Sequence, residues 1–464
     1  MPIIKAYTLP HPPLAVPAVG KGKESKEIRD TLAAIETVAA EIAESAPETI
    51  IYITPHSTVY ADHFHISPGA EAFGDLSRFG APDVTFSTRY DEQLINEISR
   101  VARVNDISAG IEGEKDPKLD HGITVPMWYI NRSYSDYLSI RISQAAMSAT
   151  EHYMMGQIIA KAVELTGRKV VVIASSDLSH KLKEDAPYGF AKEGLEFDNK
   201  ITELLKTGDF LSLLKIPDTL RERAAECGYN SLVMLAGIFD AQNVEAKLLS
   251  YECPFGVGYA VASFKSDGQN ENRNFLEQYI ESILNESSRR RNAEDEYQKL
   301  ARSSLEHIIR TGKELPYPNG LPSELVDRKA GVFVAIHKNK RLRGCIGTIS
   351  PTTDNVAKEI IQNAISAGLS DERFGPVAIE ELPYLSYKVD VLSAPESISG
   401  LDELDEKRYG VIVTSGNQRG LLLPNLEGVN SVEEQVAIAG NKAGIFPNAE
   451  IKLERFEVIR HESE

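Results

Sequence analysis

Short, wholly apolar runs recur along the first 265 residues and mark strands covered on both faces. Thr49–Thr54 (TIIYIT) and residues 169–174 (KVVVIA) lack the period-two alternation of a half-exposed strand. A shorter run, residues 3–7, opens the chain. Between and after these runs the apolar residues recur at helical spacing, over residues 26–44, 93–102 and 230–239. Strands alternating with helices predict an α/β sandwich around a mainly parallel sheet, spanning residues 1–265.

The pattern changes near residues 266–294. A polar stretch with Gly268, Asn270 and Asn272 leads into a helical segment over 275–284 and then the basic string Ser287-Ser288-Arg289-Arg290-Arg291-Asn292. Acidic residues flank that string, so it reads as an exposed linker rather than a nucleic-acid contact. Residues 295–464 mix helices over 294–311 and 354–367 with strands over 331–337, 342–349, 387–392, 410–414 and 420–423. Asn339-Lys340 is the turn of a hairpin between the first two strands. This half reads as a separate α+β domain.

A length of 464 residues is enough for two or three domains with their own cores. The formal net charge of −18 is shared by both halves, which disfavours sequence-independent nucleic-acid binding and anionic membranes. No stretch approaches the roughly 18–20 apolar residues of a membrane span, and the N-terminal residues lack the layout of a signal peptide. Cys227, Cys253 and Cys345 are too few and too scattered for a disulfide framework. The expectation is a soluble cytoplasmic protein, with homo-oligomer formation left open.

Candidate chemistry concentrates in the histidines, seven of which precede residue 181. His11 follows the first strand in Pro10-His11-Pro12-Pro13. His56 follows the second in Thr54-Pro55-His56-Ser57. His180 ends Ser176-Asp177-Leu178-Ser179-His180, and His121 lies in Leu119-Asp120-His121-Gly122. Ligands of open α/β sheets collect at the carboxyl ends of strands, so these four imidazoles are expected to converge. They suit a divalent metal held by neutral imidazole, with another imidazole left as acid or base. His63, His65 and His152 lack that placement, and His63 and His65 read as rim or surface residues. An anionic third ligand would complete a two-histidine, one-carboxylate site; Glu252 is the candidate, and the adjacent Cys253 is the alternative, which would favour zinc or copper.

These four histidine strings resemble the LigB-type class III extradiol dioxygenases and, still more, the related Memo-like proteins. The resemblance implies that His11, His56 and Glu252 are metal ligands, with Fe(II) as the expected metal and Zn or Cu as alternatives. It implies His180 as catalytic acid/base, His121 as a group contacting substrate, and Asp177 as the residue orienting His180. Ala225-Glu226-Cys227-Gly228-Tyr229 also resembles a family motif and is read as a pocket wall or structural turn. A small aromatic, catechol-like substrate and ring cleavage follow from the dioxygenase likeness, whereas Memo-like members carry a cysteine in the third-ligand region and need not be dioxygenases.

In the second half, Arg341-Leu342-Arg343-Gly344-Cys345-Ile346-Gly347-Thr348-Ile349 resembles the signature of the AMMECR-type domain. Ser370-Asp371-Glu372-Arg373-Phe374, Gly420-Leu421-Leu422-Leu423-Pro424 and Asn441-Lys442-Ala443-Gly444 support it. Gly344 and Gly347 would allow close backbone approach. Cys345 reads as a small buried residue, and Arg343 as an anion contact or the partner of a carboxylate. Relatives of the two modules imply a separate radical-SAM protein as partner. The leading expectation is a metal-dependent oxidoreductase of the extradiol type with an accessory AMMECR-type domain. The alternatives are a different metal-dependent reaction on an aromatic or nucleotide-like substrate, and a metal-binding scaffold without turnover.

Overall fold

A computed structural model describes residues 3–20, 24–339, 341–426, 428–446 and 449–463. The chain forms two compact units, Met1–Ile280 and Glu281–Glu464. Among the described residues no helix is long and apolar enough to cross a membrane.

In the first unit the elements that position the site are, in chain order, β1 (Ile3–Leu9), α1 (Arg29–Ser45), β2 (Thr49–Thr54), β3 (Glu71–Leu76), β4 (Ala81–Arg89), α2 (Glu92–Val104), α3 (His121–Asn131), β5 (Leu138–Ser143), α4 (Ala149–Thr166), β6 (Val170–Ser175), α5 (Lys192–Thr207), α6 (Tyr229–Ile238), β7 (Gln242–Glu252) and β8 (Tyr259–Gln269). The central sheet has the order β5-β2-β6-β1-β8-β7. β5, β2, β6 and β1 run parallel; β8 is antiparallel to β1, and the edge strand β7, antiparallel to β8, runs again in the direction of β1. Every residue of β2 and β6 is buried, which explains their uninterrupted apolar sequences. The register pairs Leu9 with Ser175 and Ile53 with Ala174, so β1, β2 and β6 end together at one edge of the sheet. The loops that follow carry His11, His56 and His180.

The expected linker contains a longer helix than the pattern indicates: α7 covers Phe275–Ala293, taking in the basic string. Arg290 pairs with Glu286 one turn earlier, and Arg291 with Glu306 at 2.6 Å. The Glu286–Arg290 pair lies on one face of the helix and supports it through a stretch whose composition alone reads as a linker, and the Glu306 contact comes from the next helix.

In the second unit, α8 (Glu296–Thr311), β9 (Val332–Lys338), β10 (Arg341–Gly347), α9 (Val356–Leu369) and β11 (Leu385–Leu392) are followed by β12 (Glu396–Ile398), β13 (Gly410–Ser415), β14 (Gln418–Leu422), α10 (Val432–Lys442), β15 (Lys452–Phe456) and β16 (Val458–His461). Two antiparallel sheets result, β10-β9-β11-β16 and β12-β15-β13-β14. α8 and α9 cover the first sheet, α10 the second. The β9–β10 hairpin turns through Asn339 at positive φ; Lys340 lies outside the described residues.

The signature string lies on β10. Arg343 makes a two-pronged ion pair with Glu381, Nε–Oε2 and Nη2–Oε1 both at 2.9 Å, and donates to the Gly375 and Pro376 carbonyls. Cys345 is half-buried; its N–H donates to Asp371 at 2.8 Å, and burial pushes its thiol pKa up. These contacts bind one strand to the loop after α9. A Cβ at Gly344 would lie 2.0 Å from the Ala367 carbonyl oxygen, so only glycine lets β10 lie this close to α9. Gly344→Ala is therefore expected to cost about 1–3 kcal/mol of stability through overpacking, measured by urea unfolding of the full chain. An unchanged midpoint for the second unit's transition would show that the strand and helix separate freely.

Candidate metal centre

His11, two residues beyond β1, is buried, and three contacts fix its ring and backbone. Its Nδ1 lies 2.8 Å from Ser175 Oγ. The Ser175 hydroxyl donates its proton to the Gly122 carbonyl at 2.5 Å. Having given that proton away, Ser175 accepts from His11, so His11 carries its hydrogen on Nδ1 and presents a lone pair on Nε2. This is the arrangement found around metal-binding histidines. The His11 N–H donates to Asp177 Oδ1 at 2.8 Å.

His56 follows β2 and turns its Nε2 toward that lone pair, at 2.9 Å. Its backbone N–H is held by Thr54 Oγ1 at 3.2 Å. Part of the residue is open to solvent, but the ring is crowded. Desolvation, and then His121, lower its pKa to about 4. His11 is also held well below the ordinary value, by burial first and by His56 and the other histidines second. Both imidazoles are neutral at physiological pH and able to bind a cation.

The third group is Cys227. Its Sγ lies 3.7 Å from His11 Nε2, and His11, His56 and Cys227 place one donor atom each within 4.8 Å of one another. Among the described residues no other group of this kind occurs. Ligand atoms about 2.0–2.1 Å (imidazole) and about 2.3 Å (thiolate) from one centre sit roughly 3–3.8 Å apart, so the set fits a metal ion. Burial raises the pKa of the free thiol, and a bound cation would offset that by favouring the thiolate. A Cβ at Gly228 would lie 2.2 Å from Ser176 Cβ, so glycine there lets the Cys227 turn press onto the end of β6. Glu226 fixes the same turn by accepting from the Tyr229 N–H at 2.6 Å and pairing with Arg221.

His121 and His180 flank this centre. His121 opens α3; its ring stacks on His56 with centroids 4.1 Å apart and meets His11 edge-on at 5.4 Å. Desolvation and the nearby Arg78 lower its pKa. His180 donates from Nδ1 to the Ala225 carbonyl at 2.5 Å, which leaves Nε2 with a lone pair for proton transfer.

The convergence of His11, His56, His121 and His180 agrees with the strand-end reasoning. Three assignments come out differently. Glu252 does not join the cluster: its Oε2 accepts from the Thr31 N–H at 2.7 Å, in the first turn of α1, where a carboxylate satisfies a free helix donor and the helix dipole. Cys253, next in sequence, is also outside it. Asp177 braces the backbone of His11 instead of orienting His180, whose ring is held by Ala225. Cys227, read from sequence as part of a turn, supplies the third donor; its family-like motif was the only available signal. His65 is a buried residue, with Nε2 on the Glu114 carbonyl at 2.9 Å. His63 bonds Ser108.

Residues 5–262 match the family model described as the catalytic LigB subunit of aromatic ring-opening dioxygenase, and residues 298–463 match that of AMMECR1. A protein of Clostridium acetobutylicum is 42% identical over 463 residues, covering 98% of both chains. A Thermotoga maritima protein is 48% identical over 170 residues, 36% of this chain and 98% of its own. Among solved structures, an uncharacterized Pyrococcus horikoshii protein aligns with 35% of this chain and 88% of its own, at 34% identity and a TM-score of 0.34. An uncharacterized Escherichia coli protein covers 56% of this chain and 99% of its own, at 13% identity and a TM-score of 0.38.

Since Glu252 acts as a cap for α1, Glu252→Ala is expected to lower unfolding stability by about 0.5–2 kcal/mol. Chemical denaturation of the full chain measures this; no loss would mean that the Thr31 contact contributes nothing.

Proposed function

Because the chain belongs to the family of the catalytic LigB subunit of aromatic ring-opening dioxygenase, with an AMMECR1 segment following, we propose that its first unit is a metal-dependent enzyme acting on a small aromatic molecule. In this proposal His11, His56 and Cys227 hold the metal and His180 moves a proton. The observation that carries it is the meeting of two neutral imidazole Nε2 atoms at 2.9 Å beside a thiol, with one imidazole's tautomer already fixed for metal binding.

A bound metal would supply a Lewis-acidic centre, redox-active if copper or iron, with positions left for substrate. The chain's own residues do the rest. His180 Nε2 takes a proton from a substrate hydroxyl and returns it to the product. His121, on the opposite flank, contacts the substrate. Asp177 and Ser175 keep His11 in place and in the right tautomer. A thiolate donor shifts the expected metal from ferrous iron toward copper or zinc, so Glu252 and iron-dependent ring cleavage become the competing assignment.

The proposal extends to the second unit as an accessory module and to a separate radical-SAM protein as partner. Two features support the accessory role of the second unit: the two modules share one chain, which raises their effective concentration toward a common target, and the metal-capable cluster found among the described residues lies in the first unit.

Metal analysis of protein purified without oxygen tests the reading. About one metal per chain is expected in wild type and Glu252→Ala, with loss in Cys227→Ser and in the double variant His11→Ala/His56→Ala. Iron retained by Cys227→Ser but lost from Glu252→Ala would restore the carboxylate site. Wild type that stays metal-free after loading would overturn the proposal. Ser175→Ala, which frees the His11 tautomer, is expected to weaken metal affinity about 10–100-fold in a chelator competition; unchanged affinity would show that the Ser175 contact does not tune His11.

A further inference from the structure

The wall beside His121 carries a cation, Arg78, with no partner among the described residues. Strands β3 and β4 are joined by a short 3-10 turn, Ser77–Phe79, which holds Arg78 and Phe79. The turn is fixed at both ends. Asp75 Oδ1 accepts from the Ser77 N–H at 2.8 Å, and the Gly80 N–H returns to the Ser77 carbonyl at 3.0 Å. The hairpin is tied to the segment that precedes His121: Phe73 N–H donates to the Pro117 carbonyl, and Leu119 N–H to the Phe73 carbonyl. The Phe79 ring consequently sits 5.4 Å from the His121 ring, and the Arg78 charge is felt there. The exposed Tyr188 ring lies 5.2 Å from the His180 ring.

Arg78 is exposed, and among the described residues no carboxylate, carbonyl or ring engages it. That is unusual here: the chain has 68 acidic residues against 50 basic ones. An arginine left unpaired in an acidic protein, on a rigid turn above a cluster of neutral histidines, is suited to a ligand's anion.

We propose that Arg78 is a specificity-determining residue that pairs with a carboxylate or phosphate group on a substrate lying between Phe79 and Tyr188. This rests on the reading of the histidine cluster as the substrate site. The flanking rings form the walls for a flat body, and Arg78 reads the charge at its end. A neutral analogue of the same shape would lose the guanidinium contact but keep the walls.

Fluorine NMR titration of the full chain with 4-fluorobenzoate and 4-fluorobenzamide, which differ in charge but little in shape, tests this. Wild type is expected to bind the benzoate roughly three- to tenfold more tightly, as fits a partly exposed charge-assisted pair. Arg78→Ala should erase the preference and Arg78→Lys retain part of it, all with unchanged metal content. Equal binding of the two probes to wild type, or a preference that survives Arg78→Ala, would overturn the proposal. The titration is repeated on chelator-treated protein. A preference that disappears there while persisting in metal-loaded Arg78→Ala assigns the anion to the metal and also overturns the Arg78 role. Failure of wild type to take up metal would count against the metal site alone, since the Arg78-dependent preference is still read in its absence.

Discussion

The hydrogen-bond chain from His11 Nδ1 through the Ser175 hydroxyl to the Gly122 carbonyl organises the first unit's chemistry. It joins the ends of two parallel strands to the first turn of the helix that carries His121. Gly122 is the second residue of that helix, so its carbonyl serves as the terminal acceptor without leaving the fold. Reversal of any donor in the chain would put the His11 hydrogen on Nε2, toward His56. The same two hydrogen bonds therefore set the fold at the sheet's edge and the protonation state of a donor atom. Asp177 adds the backbone anchor, and the Thr54 hydroxyl, bonded to Asp120 at 2.7 Å, links β2 to the same helix start.

The parallel core could be read from the chain because burial on both faces leaves an unmistakable pattern. TIIYIT occupies the same six residues in the structure, and the run at 169–174 is displaced by one residue. Helix ends were less legible. The stretch expected at 26–44 starts at Arg29, whose preceding residue, Ile28, offers no side-chain cap; the donor is instead satisfied by Glu252, 221 residues away from Thr31. The basic string at 287–292 misled for a related reason. Its helical stability comes from specific carboxylates, Glu286 and Glu306, and composition does not reveal such pairings.

At the site, the same contrast separates the histidines from the other donors. A residue that directly follows a buried parallel strand has its position set by the sheet, so His11, His56 and His180 could be placed from local sequence alone. Cys227 follows no strand. It reaches His11 across 216 positions because Gly228 allows a close approach to Ser176 and because Glu226 holds the turn. Glu252 does follow the strand logic, at the end of β7, which runs in the direction of β1 because two antiparallel steps separate them; but β7 is the outermost strand, and the Glu252 carboxylate is taken up by the start of α1 rather than by the histidines. The rule of strand ends held for the strands in the middle of the sheet and failed at its outer edge, where a helix start claims the side chain.

Charge balance connects the donor set to the substrate. Four imidazoles are held neutral chiefly by burial, and the thiol is held protonated by desolvation; the acidic group against them is Asp177, whose Oδ2 lies 3.7 Å from His11 Nε2 and whose pKa burial raises to about 7. A divalent ion with one thiolate would leave about one positive charge; the neutral imidazoles cannot offset it, nor can Asp177 while it is protonated. An anionic ligand would, and the interaction would be stronger than in water because the surroundings screen it weakly. Arg78 adds a positive charge beside His121, next to the Phe79 ring, and the proposal sets a flat ligand between that ring and Tyr188. In the proposed reading, a substrate with a negative group on one end and a proton to give at the other would set the first against Arg78, beside His121, and the second against the free Nε2 of His180, which takes the proton and returns it to the product.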